Sequence, residues 1–132
     1  MLALVGNTNE INADEAKKII ANGTKYYIEV ANMPTTADAV ALLKEAKLVI
    51  GPSKAVNAGG VAVSALEMAQ NSMRYSWTEE EVDEKLKGIM VNIHKVSEEA
   101  ASEYGFGYDL IAGANIAGFM KVAKAMLAQG II

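Results

Sequence analysis

Three short polar segments of this sequence gather side chains suited to holding a ligand. They are Gly6-Asn7-Thr8-Asn9, Asn32-Met33-Pro34 and Ser53-Lys54-Ala55-Val56-Asn57-Ala58-Gly59-Gly60. They carry carboxamides and hydroxyls but no acid–base pair, no thiol and no metal-ligand cluster. Such groups hold a polar ligand by neutral hydrogen bonds and move no proton. Asn and Gly also make ordinary turns, and spacing alone leaves that alternative open. The run Asn57-Ala58-Gly59-Gly60 precedes an expected helix, where two glycines admit a ligand to the backbone and the helix start offers N–H groups. Val61 and Ser64 fall on one face within the next turn, so the Ser64 hydroxyl is placed to meet a carboxylate or to bond its own backbone. His94, the only histidine, lacks partners at metal-ligand spacing and reads as a surface or boundary residue. No GxGxxG or GxxxxGK[ST] phosphate loop occurs.

The elements that must position these segments alternate. Leu2-Ala3-Leu4-Val5, Tyr26 to Val30 and Leu48-Val49-Ile50 read as strands. Between the first two, Asn12 with Glu15 caps a helix whose apolar face is Ala16, Ile19 and Ile20, ended by Asn22-Gly23. Between the second pair, Thr36 caps a helix that buries Ala39, Val40 and Leu43. Strands joined by crossover helices run parallel, and continuous apolar strands imply that both sheet faces are covered. The expected fold is therefore α/β: a partial doubly wound, Rossmann-like parallel sheet, βαβαβ, followed by three C-terminal helices. Those helices are expected from about Gly60 to Met73, behind a Thr78-to-Glu81 capping box, and from Asp109 to Gln129. Along the second, Val82, Leu86, Ile89, Ile93, Val96 and Ala100 form the apolar face. Gly105 stops it, and Trp77 anchors its start. Ala112-Gly113-Ala114 and Ala117-Gly118 give the last helix a small-residue face for close packing. Residues 1–59 are expected to form half of a dinucleotide-binding domain and 60–132 a helical segment packed upon it.

Composition bounds the partners. The 132 residues suffice for one domain, and the net charge of −4, without a basic cluster, argues against nucleic acid. The absence of cysteine excludes disulfides and fits a reducing, cytoplasmic setting. The N-terminal apolar run is too short for a signal peptide. The apolar stretch from Leu110 to Met120 meets Lys121 well before a membrane span is complete, so no membrane partner is expected.

Several long motifs, in unbroken order over roughly residues 9–132, resemble the hexameric glutamate dehydrogenases. They are Tyr27-Ile-Glu-Val-Ala-Asn-Met-Pro-Thr-Thr36, Pro52-Ser-Lys-Ala-Val-Asn-Ala-Gly-Gly-Val61, Ser64-Ala-Leu-Glu-Met68, Gln70-Asn-Ser72, Ser76-Trp-Thr78 and Ala112-Gly-Ala-Asn-Ile-Ala-Gly-Phe119. The resemblance implies oxidative deamination of L-glutamate to 2-oxoglutarate and ammonia with NAD or NADP, by a homo-oligomer. It implies cofactor contacts at Asn32 and Asn57 near the nicotinamide. It implies substrate contacts at Val61 and at Ser64, whose hydroxyl would meet the distal carboxylate of glutamate. The family's lysines, catalytic aspartate and pyrophosphate loop match nothing here. The resemblance thus places the chain as a C-terminal portion lacking catalytic residues, partnered by the N-terminal remainder and without turnover alone. A non-catalytic module acting through self-association or a binding partner is the alternative.

Overall fold

The computed structural model describes the backbone of residues 2–5 and all of residues 7–130. The elements are β1 (Leu2–Val5), α1 (Ala13–Ala21), β2 (Tyr26–Glu29), α2 (Ala37–Glu45), β3 (Val49–Gly51), α3 (Ser53–Val56), α4 (Ala58–Met73), α5 (Glu79–Glu103) and α6 (Leu110–Gln129). The strands are parallel in the order β1-β2-β3, with Leu2 opposite Tyr26 and Tyr26 opposite Val49.

The expected fold class needs correction. Helices make up most of the described residues, and four of them, not three, follow β3. Nor is the sheet doubly wound within this chain. Double winding requires the strand order to reverse, which sends later crossovers to the opposite face. The order 1-2-3 never reverses, so right-handed crossovers put α1 and α2 on one face. There Ala16 of α1 and Ala39 and Leu43 of α2 share one buried cluster with Tyr27 and Ile50. Helices that follow β3 also pack on the sheet: α3 packs on β2, and α6 packs on β3, with Ile111 of α6 against the same buried cluster.

Local chemistry explains most boundaries. Asn12 Oδ1 accepts from the N–H groups of Asp14 and Glu15 at 2.9 and 3.2 Å, while Glu15 accepts from the Asn12 N–H at 2.8 Å. The same reciprocal box starts α5, with Thr78 and Glu81 as partners. Gly23 and Gly105 take positive φ after α1 and α5. Thr36 behaves differently from expectation. It precedes α2 but makes no side-chain cap, because its hydroxyl donates to Asp38. Of the expected face of α2, Ala39 and Leu43 are buried and Val40 is half-buried.

Along α5, Val82, Leu86, Ile89, Ile93 and Ala100 are half-buried and Val96 is exposed. The fully buried positions are instead Ser97 and Ala101, which face α6. A Cβ on Gly113 would lie 1.8 Å from the Ser97 carbonyl oxygen and 3.1 Å from Ala101 Cβ, so the two helices cross in backbone contact. Gly118 has nothing within 4 Å of such a Cβ, so the small-residue face does its work only at its N-terminal end. Helix α6 has 20 residues and is long and apolar enough to cross a membrane by length and composition alone, extending past the Leu110–Met120 stretch. Its first turns are packed on α5, as Leu110, Gly113 and Ala114 are buried. Trp77 is half-buried beneath the Lys85 ammonium, 4.7 Å from its ring centroid.

Asp109 ties α2 to α6. It accepts from Lys44 Nζ at 2.6 Å and caps α6 through the N–H groups of Ile111 and Ala112, both at 3.1 Å. Burial raises its pKa, but Lys44 and the two N–H donors outweigh that and hold it below the usual carboxylate value. A depressed folded pKa stabilises the fold above the ordinary Asp range and ceases to do so as pH falls through the folded value. Asp109→Asn is therefore expected to lower stability by about 1 kcal/mol at neutral pH. Its denaturation midpoint should converge with that of wild type between about pH 4 and pH 2. Parallel midpoints over that window would show that Asp109 is not the titrating group.

Candidate functional site

The expected segments meet beyond the carboxyl ends of the strands, where open parallel sheets place their ligands. They line an open cleft of about 680 Å³ formed by Asn7, Thr8, Val30, Ala31, Asn32, Lys54, Asn57, Ala58 and Val61. The loop after β2 forms its centre. The N–H groups of Asn9 and Ile11 donate to the carbonyls of Met33 and Pro34, and the Thr36 N–H donates to Ile11, each at 3.0 Å. Thr8 Oγ1 adds a bond to the Asn32 carbonyl at 3.1 Å. Pro34 is fully buried, and Met33 holds a left-handed backbone with φ of 49°. Beneath the loop, the Tyr27 phenol meets Thr35 Oγ1 at 2.6 Å. Burial pushes that phenol above its ordinary pKa, so it stays neutral.

The two asparagines expected at the cofactor lie together. Asn57 Nδ2 donates to Asn32 Oδ1 at 2.5 Å across the cleft, joining the β2 loop to the start of α4. Asn57 is available because its side chain caps neither adjoining helix. The glycine pair is placed differently from expectation: Gly59 and Gly60 lie inside the first turn of α4, which starts at Ala58. The four-residue helix α3 supplies the preceding turn.

Val61 lines the cleft and is exposed. Ser64 sits one turn further along α4, outside the cleft lining, and its hydroxyl donates to the Gly60 carbonyl at 3.3 Å. That is the backbone-bonded arrangement, one of the two open to it. His94 lies far along α5, where its Nε2 pairs with the Tyr108 hydroxyl at 2.8 Å and its Nδ1 lies 3.8 Å from Glu98. No group of three or more potential metal ligands occurs among the described residues.

Sequence reasoning missed two polar residues. Glu29, buried at the end of β2, accepts from the Ser53 N–H at 3.0 Å and so fixes the start of α3 beside the cleft. The sign was available: it is the single acid in an otherwise apolar strand. Gly51 lets α3 sit that close, since a Cβ there would fall 2.9 Å from Ile28 Cδ1 and 3.0 Å from Val56 Cγ2. The second is Lys54, which lines the cleft and donates to Asn115 of α6.

The cleft therefore offers carboxamides, a hydroxyl and one ammonium, with no carboxylate or imidazole among its lining residues. Such groups can orient a polar ligand through hydrogen bonds and one positive charge. A model of the Glutamate/Leucine/Phenylalanine/Valine dehydrogenase family matches residues 1–130. The chain belongs to that family. It is 60% identical over 124 residues to an NAD-specific glutamate dehydrogenase of Clostridium symbiosum, covering 93% of this chain and 28% of the relative. To an NADP-specific glutamate dehydrogenase of Escherichia coli K12 it is 52% identical over 124 residues, covering 94% of this chain and 28% of the relative. Among solved structures, a Plasmodium falciparum glutamate dehydrogenase matches with a TM-score of 0.93 and 50% identity, covering 99% of this chain and 28% of that one. The chain thus spans just over a quarter of the length of these family members. These matches do not bear out the C-terminal placement expected from the motifs.

Proposed function

We propose that this chain forms the nicotinamide-side wall of a glutamate dehydrogenase active site. Asn32 and Asn57 hold the nicotinamide end of NAD or NADP, and Val61 and Ser64 line the adjoining place for L-glutamate or 2-oxoglutarate. The observation that carries this is the Asn57–Asn32 bond at 2.5 Å, which joins two asparagines remote in sequence across a polar cleft. Family membership and the NAD- and NADP-specific relatives support the assignment. When bound, the dinucleotide supplies the hydride acceptor. This chain's residues hold the ring in register with the substrate carbon, which lowers the barrier by orientation. Proton transfer and activation of the substrate carboxylate fall to the remainder of the enzyme, with which this chain assembles into an oligomer.

Absorbance at 340 nm with glutamate and NAD or NADP tests this, on the chain alone and after co-refolding with the rest of a glutamate dehydrogenase polypeptide. Turnover is expected only in the mixture, and Asn57→Ala should lower it about 10-fold, the loss of one oriented hydrogen bond. Turnover by the chain alone would place proton-transfer groups within these residues and refute the assignment.

A second reading has an observation of its own. Val61, Met68 and Met73 of α4 and Phe119, Val122 and Leu127 of α6 are all exposed. A chain with such faces can act as a non-catalytic module that self-associates. Silence in both absorbance experiments, with concentration-dependent association, would select it.

A further inference from the structure

The cleft holds a charge that the neutral reading of its segments leaves unused. Lys54 is the single charged residue among those lining it. Its ammonium donates to Asn115 Oδ1, a neutral acceptor on α6, 61 residues away. Among the described residues no carboxylate forms an ion pair with it, as holds for most of the other lysines, so what sets it apart is its place in the cleft lining. A lysine that lines the cleft without an anion, and keeps N–H groups beyond its bond to Asn115, can receive the anion from a ligand. Asn115 orients the ammonium without neutralising it, because a carboxamide oxygen accepts one N–H and leaves two for another partner.

We propose that Lys54 is the anion-recognition residue of this cleft, reading a phosphate or carboxylate of the bound ligand, with Asn115 as its positioning residue. This rests on the cleft being a ligand site, as proposed above. It adds that a charged group of the ligand lies on the α3 side of the cleft.

Nuclear magnetic resonance titration of the full chain separates the possibilities, with the side-chain amides of Asn32 and Asn57 as reporters. The probes are nicotinamide riboside, which is uncharged at the ribose end, nicotinamide mononucleotide, which adds one phosphate, and 2-oxoglutarate. Lys54→Gln should weaken the probe whose anion it reads about 5- to 10-fold and leave the riboside unchanged. Lys54→Arg should restore most of that loss. Raising the salt to about 1 M should erase the difference between wild type and Lys54→Gln. A mononucleotide-only effect identifies phosphate, and a 2-oxoglutarate-only effect identifies carboxylate. Equal weakening of all three probes, or of none, overturns the role of Lys54 while leaving the cleft assignment standing. Unmoved Asn32 and Asn57 amides in wild type with every probe would overturn both.

Discussion

Gly113→Val is expected to cost about 3 kcal/mol, the upper part of the range for overpacking a tight interior. The physical cause is positional. The added Cβ alone would stand 1.8 Å from the Ser97 carbonyl oxygen, so α5 and α6 must separate along their whole crossing. Ser97 is buried there, with its hydroxyl returned to the Ile93 carbonyl at 2.8 Å, and no flexible side chain is available to yield. Separation would also pull Asp109 from Lys44 and Asn115 from Lys54, loosening α6 from both α2 and the cleft. Gly118→Ala, five residues on in the same helix, should do the reverse. Its Cβ meets nothing within 4 Å, so it gains about 0.5–1 kcal/mol of helix propensity. Urea midpoints at constant slope would measure both. Equal effects at the two glycines would mean that α5 and α6 do not cross where Gly113 lies.

Removal of the Tyr27 ring should be the other large effect. Tyr27 is fully buried between α1 and α2, and Tyr27→Ala is expected to lower stability by about 3–5 kcal/mol through lost burial and the cavity left behind. Tyr27→Phe separates packing from polarity. It keeps the ring but strips Thr35 of its 2.6 Å partner, at about 1 kcal/mol. That smaller change reaches the cleft, since Thr35 follows Asn32-Met33-Pro34 in one loop and pairs with Ile11 in a parallel bridge. Hydrogen exchange should therefore speed up at Asn9 and Ile11, whose N–H groups donate to that loop. Unchanged exchange at both positions in Tyr27→Phe would show that the phenol holds the core alone and not the loop.

The sequence by itself determined what depends on neighbours along the chain. The capping boxes at Asn12 and Thr78 were legible because each needs only residues three apart. The stops at Gly23 and Gly105 were legible because positive φ favours glycine. The motifs around Asn32 and Asn57 identified the family because they are long and ordered. Tertiary structure decided everything that depends on distance. Asn57 capping neither helix and reaching Asn32, and Lys54 reaching Asn115, join residues 25 and 61 positions apart, which no local pattern encodes. Gly113 and Gly118 look alike in sequence, and only the crossing of α5 over one of them makes it irreplaceable. The single-faced winding followed from strand order, a property of the assembled sheet. Periodicity marks which residues share a face. It takes the packed molecule to say what that face meets.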